Sequence, residues 1–145
     1  MTYTTVSAQA PVSTILIVDD EVLVRMTICQ YLRECGYKVV EAASADEALE
    51  ILKSEVPIDI VLTDLAMRGS MDGFALAKWI RSNKEHLKVI LVGSPEKAAN
   101  TAADLCDDGP MLSKPYEPQA LLEIIRRNLG LRKPTAPDQN VQPSL

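Results

Sequence analysis

Short apolar runs alternate with stretches of helical period five times along this chain, and no other feature restricts the fold as much. The runs are Ile15 to Val18, Tyr37 to Glu41, Ile58 to Thr63, Lys88 to Val92 and Pro110 to Ser113. They are too short for helices of their own and mostly rich in β-branched residues, so they are predicted strands. Strand–helix alternation of this kind gives a parallel sheet with helices on both faces and right-handed crossovers. Lys38 and Glu41 in the second strand and Pro110 in the fifth are tolerated at sheet edges. Edges at those two strands match the order 2-1-3-4-5 of a flavodoxin-like, doubly wound α/β sheet of five strands with five helices.

The helices carry their own punctuation. Val24, Ile28, Tyr31, Leu32 and Cys35 recur at helical spacing between Glu21 and Cys35, and Gly36 supplies a stop. Ser44-Ala45-Asp46-Glu47 is a capping box, with Ala45, Ala48, Leu49 and Leu52 forming one face behind it. Leu76, Ala77 and Ile80 point a third helix inward, beside a Trp79 that serves packing. Ser94-Pro95 opens an alanine-rich helix to about Cys106. Pro118 opens the last, with Leu121, Leu122, Ile125 and Leu129 apolar and Gly130 as stop. Residues 1–13 and 132–145 have no period and are predicted disordered tails around a domain over 14–131.

A net charge of −5 without a long basic cluster argues against direct nucleic-acid binding. No apolar run approaches the roughly 20 residues that span a membrane. Residues 1–13 lack the basic and apolar regions of a signal peptide, so a cytoplasmic location is expected. Cys29, Cys35 and Cys106 form no CxxC and read as buried or half-buried thiols; His86 reads as an exposed loop residue.

The first strand runs straight into Asp19-Asp20-Glu21. Glu21 suits a helix start, while the Asp pair alone is either a cation site or a solvated turn. The third strand also ends in an acid, Asp64. In the order 2-1-3-4-5 the first and third strands are neighbours, so Asp19, Asp20 and Asp64 converge at the carboxyl edge where ligands gather, and Lys114 arrives from the fifth strand. Three carboxylates so close need compensation, which a divalent cation and Lys114 together supply. Oxygen-only donors point to Mg²⁺ or Mn²⁺. Metal and lysine beside a carboxylate fit phosphoryl transfer onto Asp64, which a Gly-rich loop follows.

Ile-Leu-Ile-Val-Asp-Asp-Glu, Val-Leu-Thr-Asp-Leu-Ala-Met, Met-Asp-Gly and Ser-Lys-Pro-Tyr, in this order and spacing, resemble the receiver domain of two-component response regulators from Thr14 to about Leu131. The resemblance implies that Asp64 accepts phosphate from a histidine kinase or histidine phosphotransfer protein. It implies Mg²⁺ bound by Asp20 and Asp64 through side chains, by Asp19 through water and by the Ala66 backbone carbonyl. Lys114 would contact the phosphoryl oxygens, and the Lys114–Pro115 bond would be cis.

Three departures from the family pattern stand out. The family usually ends its fourth strand with Thr or Ser, whose hydroxyl bonds the phosphoryl group; here that place is Gly93, with Ser94 next. Three residues before the lysine it usually carries Tyr or Phe; here stands Met111. Arg68 replaces the usual Pro, in a loop one residue longer than the commonest form. The expectation is therefore a stand-alone receiver whose output runs by protein contact with an unidentified downstream protein. The face of the fourth helix, fifth strand and fifth helix, with Leu105, Met111 and Tyr116, would serve that contact or a homodimer. A receiver-like binding module independent of phosphorylation is the alternative. An aspartyl phosphohydrolase would need a general acid and a cap, for which the sequence has no candidate.

Overall fold

The computed structural model describes residues 12–93 and 111–130. In chain order it contains β1 (Thr14–Val18), α1 (Val22–Glu34), β2 (Lys38–Ala42), α2 (Ala45–Lys53), β3 (Ile60–Asp64), α3 (Gly73–Asn83), β4 (Lys88–Gly93), β5 (Met111–Ser113) and α4 (Pro118–Asn128). The strands form one sheet in the order β2-β1-β3-β4-β5, every pair parallel. This is the predicted flavodoxin-like order, with β2 and β5 at the edges. Four helices lie among the described residues; the helix expected from Ser94 to Cys106, the two tails, Leu105 and Pro110 fall outside them.

The sheet separates two apolar layers because strand side chains alternate in direction. Ile15, Ile17, Ile60, Leu62, Ile90 and Val92 face α1 and α4, where Ile28, Leu32, Leu121 and Ile125 meet them. Leu16, Val18 and Val61 face α2 and α3, against Ala48, Leu52, Leu76 and Ile80. Every residue of β1 and β3 is buried, as two-sided cover requires. Each fully buried Ile or Leu contributes roughly 1.5–3 kcal/mol relative to exposure. Small alanines at 45 and 48 let α2 sit close to the sheet, and the Ser44 hydroxyl accepts the Glu47 N–H at 3.1 Å to open that helix. Glu47 reaches back to the Ala43 N–H, one residue earlier than the simplest capping box.

Some boundaries move. β3 begins at Ile60, two residues later than predicted, because Asp59 is occupied with Thr14: its carboxylate accepts the Thr14 N–H at 2.7 Å. Asp64 is the last residue of β3 and Gly93 the last of β4, so both belong to the ladder instead of following it. On α1 the inward cysteine is Cys29, fully buried, while Cys35 caps the helix and is exposed. The expectation that the thiols are buried thus fails at Cys35, because the chain turns away at Gly36 with φ +101°. His86 is exposed and Trp79 half-buried, the latter under the Lys53 ammonium.

Burial pushes the Cys29 thiol up to about 11, with Glu41 adding to the shift. A brief iodoacetamide pulse at pH 8, followed by peptide mapping, should alkylate Cys35 and leave Cys29 intact until the protein is denatured. Equal labelling of both in the folded protein would contradict the inward placement of Cys29.

Candidate functional site

At the carboxyl edge of the sheet β1 ends in a turn that its own side chain builds. The Asp19 N–H donates to the Ala42 carbonyl at 3.1 Å, extending the β1–β2 ladder by one residue. Its Oδ1 accepts the Glu21 N–H at 2.9 Å, which steers the chain into α1. The Asp19 carbonyl accepts from Arg25 Nη1 at 2.7 Å, and Arg25 Nε pairs with Glu41 at 3.1 Å. Arg25 thus ties the end of β1 to the edge strand β2. Sequence reasoning missed it; the signal was a lone charge one position from the Val24–Ile28 face of an otherwise apolar helix start.

Because Val18 pairs with Thr63, the next residue on each strand falls side by side, and Asp19 and Asp64 become neighbours. β5 then delivers Lys114: its N–H donates to the Gly93 carbonyl at 2.8 Å, and the following Lys114–Pro115 bond is cis. Lys114 Nζ lies 3.2 Å from Asp64 Oδ2 and 3.9 Å from Asp19 Oδ2. Asp64 Oδ1 faces the Ala66 N–H at 3.4 Å. One carboxylate oxygen each from Asp19, Asp20 and Asp64 lies within 4.8 Å of the others. An all-oxygen, triply acidic donor set of this size suits Mg²⁺ or Mn²⁺ better than zinc.

The environments of Asp19, Asp20 and Lys114 differ. Burial holds Asp19 above the usual carboxylate range, an effect that the Glu21 N–H and Lys114 only partly offset. Asp20 is held low by hydrogen bonding from the Arg68 backbone N–H and side chain, against a smaller effect of burial. For Lys114 burial works downward, but the Asp64 and Asp19 carboxylates outweigh it and hold the ammonium charged. Arg68 is the unforeseen partner here. Its N–H and its Nε both donate to Asp20 Oδ2, at 3.0 and 3.2 Å, from a side chain that is otherwise mostly exposed.

The loop after β3 is anchored at both ends. Met67 packs into the α2–α3 layer, and the Ser70 hydroxyl donates to Asp46. Asp72 caps α3 by accepting the Ala75 N–H at 2.9 Å. Gly73 then lies directly on the backbone of the acid strand: a Cβ there would sit 1.8 Å from the Asp64 carbonyl oxygen. The Met-Asp-Gly motif therefore carries a cap and a close approach in adjacent residues.

Tyr116, expected on a partner-facing surface, is half-buried against the site. It lines a small cavity with Asp19, Arg25, Asp64 and Val92, and its hydroxyl is pushed up to about 12 by burial, then by the charges of Asp19 and Asp64. Gly93 is described at the end of β4 and Met111 begins β5 opposite Leu91, while Ser94 lies outside the described residues.

Residues 15–126 match the family model of the response regulator receiver domain. The chain is 32% identical over 127 residues to the response regulator MprA of Mycolicibacterium vanbaalenii, covering 86% of this chain and 52% of that protein. It is 32% identical over 117 residues to the response regulator protein FleR of Pseudomonas aeruginosa, covering 79% of this chain and 24% of the relative. It thus spans about half or less of the length of these curated relatives. Among solved structures, a receiver domain protein from Clostridium thermocellum superposes with a TM-score of 0.76 at 26% identity, over 82% of this chain and 95% of that one. TrrA from Thermotoga maritima, solved in complex with Mg²⁺-BeF, superposes with a TM-score of 0.70 at 28% identity, over 79% and 97%.

The Gly73 contact generates a sharp expectation. Gly73→Ala forces α3 off the Asp64 backbone and should cost roughly 3 kcal/mol or more, lowering the thermal midpoint by on the order of 10 °C. Calorimetry checks it; a midpoint within about 2 °C of the parent would mean that the two backbones do not touch.

Proposed function

The chain belongs to the response regulator receiver family of two-component systems, and on that premise we propose that Asp64 accepts a phosphoryl group from a histidine kinase or histidine phosphotransfer protein. The observation that carries this reading is the placement of Lys114 Nζ 3.2 Å from Asp64 and 3.9 Å from Asp19. The acid is held at the end of a strand, with a cation within 4 Å of it and of Asp19 and with two further carboxylates close by. In the transfer, an Asp64 carboxylate oxygen attacks phosphorus, the phosphorus–nitrogen bond of the donor phosphohistidine breaks, and the imidazole leaves with the electron pair.

Asp20 and Asp64 would hold Mg²⁺ or Mn²⁺ directly, Asp19 through water and Ala66 through its carbonyl. The ion's contribution is charge neutralisation on the transferring oxygens. Lys114 adds a charge-assisted donor to the same oxygens and keeps Asp64 and Asp19 from repelling each other in the resting protein. TrrA, which was solved in complex with Mg²⁺-BeF, supports the assignment of a metal to this site. Output runs by protein contact, to a downstream protein or a second copy, at a face that includes β5 and α4. The second reading, a binding module that works without phosphate, draws on Gly93 and Met111, where the family's hydroxyl and aromatic are replaced.

Incubation with phosphoramidate or acetyl phosphate and Mg²⁺ should add one phosphoryl group by intact mass. Asp64→Asn should abolish the gain, and Lys114→Ala should slow it by roughly ten- to a hundredfold, the worth of a charged hydrogen bond. A folded protein that gains no mass with Mg²⁺ present favours the second reading.

Arg68 bears on the metal directly. Its guanidinium occupies the Asp20 oxygen with a positive charge, and the pair is exposed enough for water to weaken it. Arg68→Ala should therefore tighten Mg²⁺ binding by roughly threefold, measured by isothermal titration. Weaker binding in the variant would instead make Arg68 a support that orients Asp20.

A further inference from the structure

We infer that Arg25, anchored by Glu41, is the positioning residue of the acid corner: it fixes the main chain at Asp19 and Asp20 so that both present their carboxylates to a divalent cation. The inference rests on the reading of Asp19, Asp20 and Asp64 as a metal site.

Asp20 stands in the turn between β1 and α1, and both peptide groups that flank it are held. The carbonyl before it, that of Asp19, accepts from Arg25 Nη1 at 2.7 Å. The N–H after it, that of Glu21, donates to Asp19 Oδ1 at 2.9 Å. Asp19 is itself pinned at three points, because its own N–H also donates to the Ala42 carbonyl at 3.1 Å. Its remaining carboxylate oxygen, Oδ2, is the one that faces Lys114. Without the Arg25 contact the Asp19–Asp20 peptide group would be free to rotate, and the two carboxylates would turn with it.

Arg25 is fixed in its turn. Its N–H donates to the Glu21 carbonyl at 2.9 Å, so one residue grips both ends of the turn, by main chain and by side chain. Helix α1 has no side-chain cap at Glu21, and Arg25 supplies the tie that a cap would give. Its side chain is mostly buried, and its Nε pairs with Glu41 Oε1 at 3.1 Å. Arg33 holds the other Glu41 oxygen at 3.3 Å, and Glu41 lies in the β1–β2 ladder opposite Ile17. The planar fork of an arginine serves a carboxylate and a carbonyl with separate nitrogens, which a single ammonium does not reproduce. Glu41 also neutralises the guanidinium, which lines the same small cavity as Asp19 and Asp64. An unpaired cation there would oppose a metal ion; the paired one orients the acids without that cost.

The double variant Arg25→Met, Glu41→Gln removes the fork and its anchor and leaves the net charge unchanged. Its Mg²⁺ affinity, by isothermal titration, should fall by about tenfold, the usual cost of losing a group that orients a metal ligand. A lower thermal midpoint with an affinity within about twofold of the parent would make the pair merely structural and overturn the inference. Arg25→Met alone separates position from charge. By charge alone, loss of a cation beside the acids tightens Mg²⁺ binding, whereas loss of positioning weakens it, so tighter binding would also overturn the inference. Hydrogen exchange without metal gives an independent readout: the Glu21 amide should exchange about tenfold faster in the double variant while the β3 amides keep their rates. Unchanged exchange at Glu21 would show that Arg25 does not hold the turn. Should the double variant not fold, Arg25→Lys takes its place, with an expected loss of about threefold in affinity and parent-like affinity as the contrary result. If the parent binds no Mg²⁺, the metal reading fails, while exchange at Glu21 still decides whether Arg25 holds the turn.

Discussion

Two carboxylates at the tips of adjacent parallel strands repel each other, and the sheet order leaves them nowhere else to go. Asp19 and Asp64 follow paired residues on β1 and β3, so their proximity is a consequence of register. Lys114 makes that register tolerable by standing within 4 Å of both. The cation arrives only because β5 lies on the far side of β4 and ends level with it. Topology and electrostatics at this edge are therefore one constraint. Burial raises the energy of charging Asp19, the lysine compensates in part, and the remaining excess of negative charge is what a divalent ion would satisfy.

The two layers of the sheet divide the labour. The α1–α4 side carries the large aliphatic residues, and its upper rim turns polar at Arg25, Tyr116 and the acids. The α2–α3 side is built with alanines and glycines near the acid strand, so helix α3 approaches until Gly73 touches the Asp64 carbonyl. Close packing behind the acid keeps its strand from yielding when charge in front of it changes. Leu65, next along the chain, extends that packing to Leu91 and Val89 of β4.

The parts of this arrangement legible in the sequence were those encoded by pattern. Alternating apolar runs give the strands, charge and proline mark the edges, and the order then brings Asp19, Asp20, Asp64 and Lys114 together without reference to any side-chain geometry. Residues whose roles depend on direction were not legible. Tyr116 came into view only through the contact face that the family resemblance implies, and its half-buried place beside Asp19 and Asp64 was not legible. Arg25 drew no notice in the sequence and Arg68 only as a replaced proline; each reaches back to the Asp19-Asp20 corner, one to its backbone and one to its carboxylate. Cys35 was misplaced for a similar reason: helical spacing puts it on the buried face, but the helix ends there.

The lysine and the acid it neutralises are 50 residues apart in sequence, with β4 lying between their strands. Contacts of such separation form late, after shorter loops have closed. During synthesis, a chain released only as far as β4 already carries Asp19, Asp20 and Asp64 but not the ammonium. Its acidic corner is then one positive charge short, and the α1–α4 layer lacks Leu121 and Ile125. Completion of the charged corner thus coincides with completion of the core.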